Sequence, residues 1–411
     1  MRILSTITRQ ILAQNAGRDR DRLNLKLSQL RKDAFAFFRG TNPLFLEFLS
    51  RTHPLFLAPR VLICGDLHLA NFGAFKGDNR LCYFDVNDFD ESCLAPFTLD
   101  IVRFIASIKV AGPDLGLSRA QAQDLGRAYL RAYGQCISDG KPRWMERSLA
   151  QGVFRALLRR AMSRTRGELL ARFTKVKRGM RRIRMDNLRA LPVDPAERSR
   201  LREFLAQFAA PGLRKSFFNL VDAARRIAGN GSLGLPRYIL LIRGRQSPKQ
   251  NFALDLKLAS PSAVARWFAA KQPEWPSEAV RVVTIQRIVQ AISPALLHAV
   301  TFDRRPFILK ELQPSIDRLD LTRWRNQPRR LLEAVEGMGQ VTAWGHLRGC
   351  GHYGAASAEA LRAFAAASRW QAAADKLAEA AAGRIRRAWA LYCKDFDSGA
   401  VAAAVAKLKL P

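Results

Sequence analysis

Residues 64–91, CGDLHLANFGAFKGDNRLCYFDVNDFDE, gather six acidic side chains and one histidine between short apolar runs. The runs at 61–63 and 81–84 read as buried strands. A strand ending in Gly-Asp, or in Asp, delivers a carboxylate to a site at its carboxyl end. Carboxylates crowded beside apolar strands repel one another unless a cation or basic partners neutralise them. The oxygen donors Asp66, Asn71, Asp85 and Asp88 suit a hard divalent cation such as Mg²⁺. Helix capping or pairing with arginine is the plainer use of such acids. His68, between Asp66 and Asn71, is expected to shape the loop by packing rather than to move protons.

The elements that position these groups come from a chain of 411 residues, 48% apolar, enough for two or three domain-sized units with large cores. With 68 Lys and Arg against 35 Asp and Glu, the formal net charge is +33. Such a bias favours anionic partners, whether nucleotide, nucleic acid or membrane surface, but does not choose among them. The six cysteines, at 64, 82, 93, 136, 350 and 393, form no C-x-x-C pair and read as reduced thiols. No apolar stretch reaches the length of a membrane span and the first residues lack a leader pattern, so a cytoplasmic protein is expected.

Residues 1–30 carry leucines at helical spacing, and RKDAFAFFRG at 31–40 reads as an aromatic anchor leading into a turn, with a role for Arg39 at the site as the lesser alternative. A helix capped by Thr98 is expected to start near that residue, followed by helices over about 118–137 and 144–163. The densest basic run, residues 172–184, holds seven Lys and Arg and no acid. It reads as a solvated connector or as a contact for an anionic partner. Helical periodicity returns over 195–228. From 313 onward the chain reads as helical, with a glycine-punctuated break at 344–354; His346 and His352 across that break lack metal-ligand spacing.

Gly229, Gly231 and Gly234, with Ser232, form a G-x-G-x-x-G. The following segment, LPRYILLIRG, reads as a strand, whereas a dinucleotide-binding loop must run into a helix. A glycine loop within a hairpin is the form that protein kinases lay over nucleotide phosphates. The next strand, FALDLKLA, carries Lys257, where a kinase places its phosphate-neutralising lysine. A helix over 277–292 capped by Ser277 and a hairpin over 297–312 complete the order of a kinase amino-terminal lobe. The acidic partner of Lys257 is left open between Glu278 and Glu311. Asp66, Asn71 and Asp85 precede the glycine loop, the reverse of kinase order, and a circular permutation reconciles the two. The expected fold is therefore α+β, a permuted protein kinase-like two-lobe fold. Residues 1–220 form a helical lobe with the catalytic and metal-binding loops, 221–312 a small β lobe, and 313–411 a return to the helical lobe.

The phrases FAFFRGTNPLF, CGDLHLANFGAF, FDVNDFDES, LDIVRFIASI, GNGSLG, LDLKLASPS, RVVTIQRIVQ and VTAWGHLRGCGHYG resemble the landmarks of the bacterial family called domain of unknown function 2252. Separately, GDLHLAN followed by FDVND is similar to the catalytic segment of aminoglycoside and choline phosphotransferases. That resemblance implies Asp66 as catalytic base, with Asn71 and Asp85 as metal ligands. The crowding of Asp88, Asp90 and Glu91 after Asp85 leaves Asp88 as the other candidate for the metal.

The resulting expectation is an ATP- and Mg²⁺-dependent phosphotransferase moving a phosphoryl or nucleotidyl group to an unidentified acceptor. Asp66 would orient or deprotonate the acceptor, while Lys257 and the amides around Gly229, Gly231, Ser232 and Gly234 hold the nucleotide. The alternatives are a non-catalytic nucleic-acid or scaffold protein on a degenerate kinase-like fold, and a metal-dependent phosphoesterase using Asp66, His68 and Asp85.

Overall fold

The computed structural model describes residues 4–186, 189–209, 215–229, 231–245, 248, 250–313, 318–367 and 369–407. The chain opens with helices α1 (Thr6–Gln14), α2 (Arg20–Lys32), α3 (Ala34–Gly40) and α4 (Asn42–Glu47), then strands β1 (Arg60–Ile63), β2 (Phe72–Lys76), β3 (Cys82–Val86) and β4 (Cys93–Pro96). Helices α5 (Thr98–Ala111) and α6 (Arg119–Asp139) follow, then β5 (Met145–Glu146), α7 (Gly152–Ser163) and α8 (Arg166–Ala171). Strands β6 (Thr174–Lys177), β7 (Met180–Ile183) and β8 (Ala190–Pro192) lead to α9 (Pro195–Phe208), β9 (Leu220–Arg226), β10 (Arg237–Ile242) and β11 (Phe252–Leu258). Next come α10 (Ala263–Trp267), α11 (Glu278–Val289), β12 (His298–Phe302) and β13 (Arg305–Glu311). Helices α12 (Pro328–Arg348), α13 (Ala358–Ala366), α14 (Arg369–Asp397) and α15 (Ala400–Lys407) end the described chain.

The result is a mixed α+β fold whose sheets are antiparallel. The largest has six strands in the order β12-β13-β11-β10-β9-β8. On β11, Leu254, Leu256 and Leu258 face a core shared with α9. Ala253 belongs to the opposite face, with Ala224, Ile239 and Leu241. Period-two alternation thus gives one strand an apolar face and a second face on which Asp255 and Lys257 stand, both buried.

The helical core is built from both ends of the chain. α12 packs along α6, and α14 along α5. All of α5 is buried, which explains why its sequence reads as apolar beyond a single face. Backbone bonds seal the closure: Leu62 N–H donates to the Gly349 carbonyl (3.2 Å), and Ala356 N–H to the Arg60 carbonyl (2.8 Å). Among the described residues no helix is long and apolar enough to cross a membrane.

Several local expectations need correction. The helical reading of 195–228 holds only for α9; residues 220–226 form β9, because pairing with β8 and β10 on both sides overrides the helix propensity of Ala and Arg. Residues 174–183 form a β-hairpin rather than a connector, anchored where Ile183 N–H donates to Asp222 (2.9 Å). The helix expected from 144 begins only at Gly152, after the short strand β5. Thr98 does not cap α5; its hydroxyl donates to the Leu55 carbonyl (2.6 Å).

One buried carboxylate joins these layers. Asp100, on α5, accepts from the amides of Cys64 (3.1 Å) and Gly65 (3.0 Å) just after β1. It also lies 3.4 Å from Nε2 of His346 on α12. Asp100→Ala leaves two buried amides unanswered, so urea unfolding of the variant should show a loss of about 2–4 kcal/mol.

Candidate functional site

The turn after β1 aims Asp66 into a cleft. Gly65 sits at φ +77°, and a side chain there would strike the backbone carbonyl of Glu91, so this turn needs glycine. Asp66 Oδ1 accepts from Arg103 Nε (2.6 Å). The guanidinium of Arg103 is fully buried, stacked 4.2 Å from the Phe38 ring centroid and 4.8 Å from that of Phe45. Burial raises the Asp66 carboxyl above its ordinary value, and the charge of Arg103 opposes the rise. Asp66 thus has one oxygen fixed by Arg103 and a second that accepts no hydrogen bond from the described residues.

Asn71 clasps the two acidic loops together. Its Nδ2 donates to the carbonyls of Asp66 (3.1 Å) and Asp88 (3.2 Å), while its Oδ1 accepts from Asp88 N–H (2.8 Å). His68 is buried, accepts from Ala70 N–H through Nδ1 (3.2 Å) and meets Phe35 edge-on. Burial, with Arg39 and Arg103 nearby, holds its pKa well below the ordinary imidazole value, so it is neutral at physiological pH. Its part is packing and loop shape, as expected.

From the sheet side, β9 and β10 form the hairpin whose turn carries Gly229, Gly231, Ser232 and Gly234; Asn230 lies outside the described residues. The turn is held by the amino-terminal helices: Arg18 donates to the Gly231 carbonyl (2.7 Å) and the Leu233 carbonyl (2.5 Å), and Lys26 to the Gly231 carbonyl (3.0 Å). Lys257 on β11 pairs with Asp90 and lies 3.6 Å from Asp88. The question between Glu278 and Glu311 is answered by neither: Glu278 binds Arg281 and Glu311 binds Arg80. Desolvation alone would lower the Lys257 ammonium, but Asp88 and Asp90 raise it. Despite desolvation, Lys257 and Lys310 hold Asp88 well below the usual carboxylate range, whereas desolvation and the charge of Asp88 push Asp90 up. Behind them Asp255 takes Arg237 through both oxygens (2.8 and 2.5 Å).

A cavity of about 330 Å³ is lined by Asp66, Asn71, Asp88, Gly229, Gly231 and Ser232, among others. A smaller one of about 80 Å³ shares Asp88 and Gly229 with it and reaches Lys257 and Lys310. The structure therefore places Asp66, Asn71, Asp88 and the glycine turn around one cavity, and Lys257 on a second that shares Asp88 and Gly229 with it. Gly234 stands back from it, against Arg18. Asp85 is also outside: it lines neither cavity, accepts from Val86 N–H (2.8 Å) and faces Arg348 at 3.7 Å. Among the described residues no three His, Cys, Asp or Glu side chains cluster at metal-ligating spacing.

Sequence reading missed several groups at this site. Arg266 and Arg318 line the cavity from distant segments, and Arg39, for which a role at the site is the lesser reading of the sequence, lines it too. Asn87 Oδ1 is buried without a hydrogen-bond partner beside Asp88. Glu91 accepts from the Ala263 (2.6 Å) and Val264 (3.2 Å) amides at the start of α10. The doubled spacing N-D-F-D-E was a signal that more than one acid would be used here, each in a different direction.

Burial pushes the Asp85 carboxyl up from 3.8 to about 6. The folded chain therefore holds this proton more tightly than the unfolded chain does. Below 3.8 the group is protonated in both states; above about 6 its ionisation in the core destabilises the fold. Asp85→Asn should raise stability by about 1–3 kcal/mol at pH 8. Urea midpoints measured down the pH scale should show the gain shrinking through pH 6 and vanishing below the ordinary carboxylate pKa.

No curated protein and no solved structure matches the chain at a significant level. Over residues 18–395, which include every site residue described above, the chain matches the family described as uncharacterised proteins conserved in bacteria, DUF2252, and it belongs to that family.

Proposed function

We propose that this protein is a kinase-like phosphotransferase using ATP and Mg²⁺, built on a circularly permuted two-lobe fold. The observation that carries the reading is a pair of adjoining cavities: the glycine turn faces Asp66, Asn71 and Asp88 of the 64–91 segment in one, and Asp88 and Gly229 also line the other, which reaches Lys257. The order of elements supports it too. Glycine hairpin β9–β10, lysine strand β11, helix α11 and hairpin β12–β13 follow one another before the chain returns to helices. On the Lys257 face of the sheet, a cavity of about 320 Å³ lined by Leu170, Phe173, Ile239 and Leu312, with Arg172 and Arg226 among its charged lining, offers apolar surface for a nucleobase.

The donor set fits Mg²⁺. Asp88 is held ionised and lines the cavity, and Asn87 lines it beside Asp88, with its Oδ1 buried and without a partner among the described residues. A nucleotide-bound Mg²⁺ needs only one or two protein oxygens, the rest being water and phosphate. When bound, the ion neutralises and orients the phosphates. Asp85, the other candidate from sequence, is buried away from this cavity, so Asp88 takes the role in this reading. Asn71 contributes by fixing the Asp66 and Asp88 loops to each other.

In phosphoryl transfer, the acceptor hydroxyl gives its proton to the unengaged oxygen of Asp66 as its oxygen bonds the γ-phosphorus. The bond from that phosphorus to the β-phosphate oxygen breaks, and ADP leaves with the electron pair. Attack at the α-phosphorus, releasing pyrophosphate, is the nucleotidyl version and uses the same groups. Lys257 leaves Asp90 for the phosphates, which are the stronger anion.

A second reading has its own observation. The β6–β7 hairpin exposes Lys175, Lys177 and Arg178 beside Val176 and Met180, a surface suited to an anionic partner such as nucleic acid. Such binding would weaken steeply with salt and be indifferent to Asp66→Asn.

Thermal unfolding tests the main reading. At a nucleotide concentration one hundred times Kd, ATP with Mg²⁺ should stabilise the wild type by about 2.7 kcal/mol. Lys257→Ala and Asp88→Asn should lose that stabilisation, while Asp85→Asn keeps it. Asp66→Asn should bind nucleotide but turn over about 100-fold more slowly or worse. A wild type that ignores millimolar nucleotide would sink the reading.

A further inference from the structure

We infer that the acceptor is itself an anion, a small molecule carrying a phosphate or carboxylate that Arg39, Arg266 and Arg318 bind beside Asp66. The inference rests on the phosphotransferase reading and adds to it the chemical class of the acceptor.

The argument is one of charge compensation within a single cavity. Its carboxylates are already answered by groups other than these arginines. Asp66 has Arg103, Asp90 and Asp88 have Lys257, and Glu91 has Ser262 with two backbone amides. Arg39, Arg266 and Arg318 line the same cavity, and none lies within ion-pair distance of a carboxylate among the described residues. Arg39 is half-buried, held over the Phe35 ring at 5.6 Å, and its Nε is buried without any partner. A buried donor without an acceptor is costly, and a planar fork of donors suits a phosphate or carboxylate.

Arg39 and Arg266 line the Asp66 cavity but not the smaller one that reaches Lys257, which Arg318 also lines. The groups that hold the glycine turn, Arg18 and Lys26, already donate to its carbonyls, and Lys257 stands deeper against the sheet. Arg39 comes from α3, next to Phe35, which packs on His68 of the Asp66 loop. Burial and the charge of Arg318 lower its pKa, while Asp66, Asp33 and Asp88 raise it, so Asp66 and Arg318 are among its near neighbours. An anion on Arg39 therefore sits on the Asp66 side of the cavity, where an acceptor must be.

Inorganic phosphate is the probe, titrated by calorimetry into the full chain, alone and saturated with a non-hydrolysable ATP analogue and Mg²⁺. Phosphate should bind in both states. Arg39→Gln should weaken it about tenfold or more, since a hydrogen bond to a charged group is worth about 1.5–3 kcal/mol. Arg266→Gln and Arg318→Gln, at exposed residues, should each weaken it severalfold, and Arg39→Lys should keep part of the affinity. Phosphate binding abolished by the analogue would mean that the arginines hold the nucleotide's own phosphates, and the inference fails. No phosphate binding, or binding indifferent to all three arginines, also overturns it. If the analogue itself does not bind, the phosphotransferase reading falls and the word acceptor with it, whereas loss of phosphate binding in Arg39→Gln would still establish the anion site.

Discussion

An ammonium set into the face of a sheet has to be neutralised from outside the sheet, and Lys257 imposes that requirement on the whole molecule. It is 8% exposed, and within its own sheet the nearest acid, Asp255, is already taken by Arg226 and Arg237. The counter-charge comes from the loop after β3, so sheet and helical core are registered against each other by Asp88 and Asp90. Buried ion pairs of this kind contribute little net stability, because desolvation offsets the attraction, yet breaking one leaves a costly unpaired charge. The seam is therefore specific rather than strong. Its cation can exchange one anion for another, which is what a binding site for phosphates needs.

The helical core is rigid where the seam is exchangeable. Asp66 is not placed by a single contact but by a chain of them: Tyr133 to His346 (3.0 Å), His346 to Asp100, and Asp100 to the amides of the turn. Arg103 then fixes one oxygen of Asp66 from a cage of Phe38 and Phe45. Asn71 ties that turn to the loop bearing Asp88. A carboxylate with one immobile and one unengaged oxygen is oriented without being silenced, and preorganisation of this kind carries most of what positioning can give to phosphoryl transfer.

Much of this was legible in the chain because it is local. The apolar runs before Asp66 and Asp85, the glycine turn before a strand, Lys257 on the next strand, and the Ser277-capped helix all depend on neighbours a few residues away. What was not legible depends on partners far off. Lys257 meets Asp90 from 167 residues away, and neither Glu278 nor Glu311, nearer in sequence, competes, because each has an arginine of its own. The choice between Asp85 and Asp88 turns on where β3 ends, since a carboxylate inside the strand points where the pleat sends it, and one beyond it follows the loop. Strand β9 was hidden by Ala and Arg, whose helical preference is weaker than two flanking strands. Arg39 was masked by its phenylalanines: the same aromatic segment that anchors α3 also presents a guanidinium to the cavity.

The formal net charge of +33 says less about function than three arginines do. A surplus spread over a surface is screened within about 10 Å at ordinary ionic strength and is compatible with almost any anion. Inside a cavity the relevant quantity is not how many cations are present but how many lack an internal partner. Asp66, Asp88, Asp90 and Glu91 would nominally balance four of the cavity's positive charges, yet each is already engaged by a lysine, an arginine outside the cavity or backbone amides. Arg18 and Lys26 already donate to carbonyls of the glycine turn, and Arg39, Arg266 and Arg318 have no carboxylate within ion-pair distance among the described residues; of these Arg39, with its buried Nε, says most about the ligand.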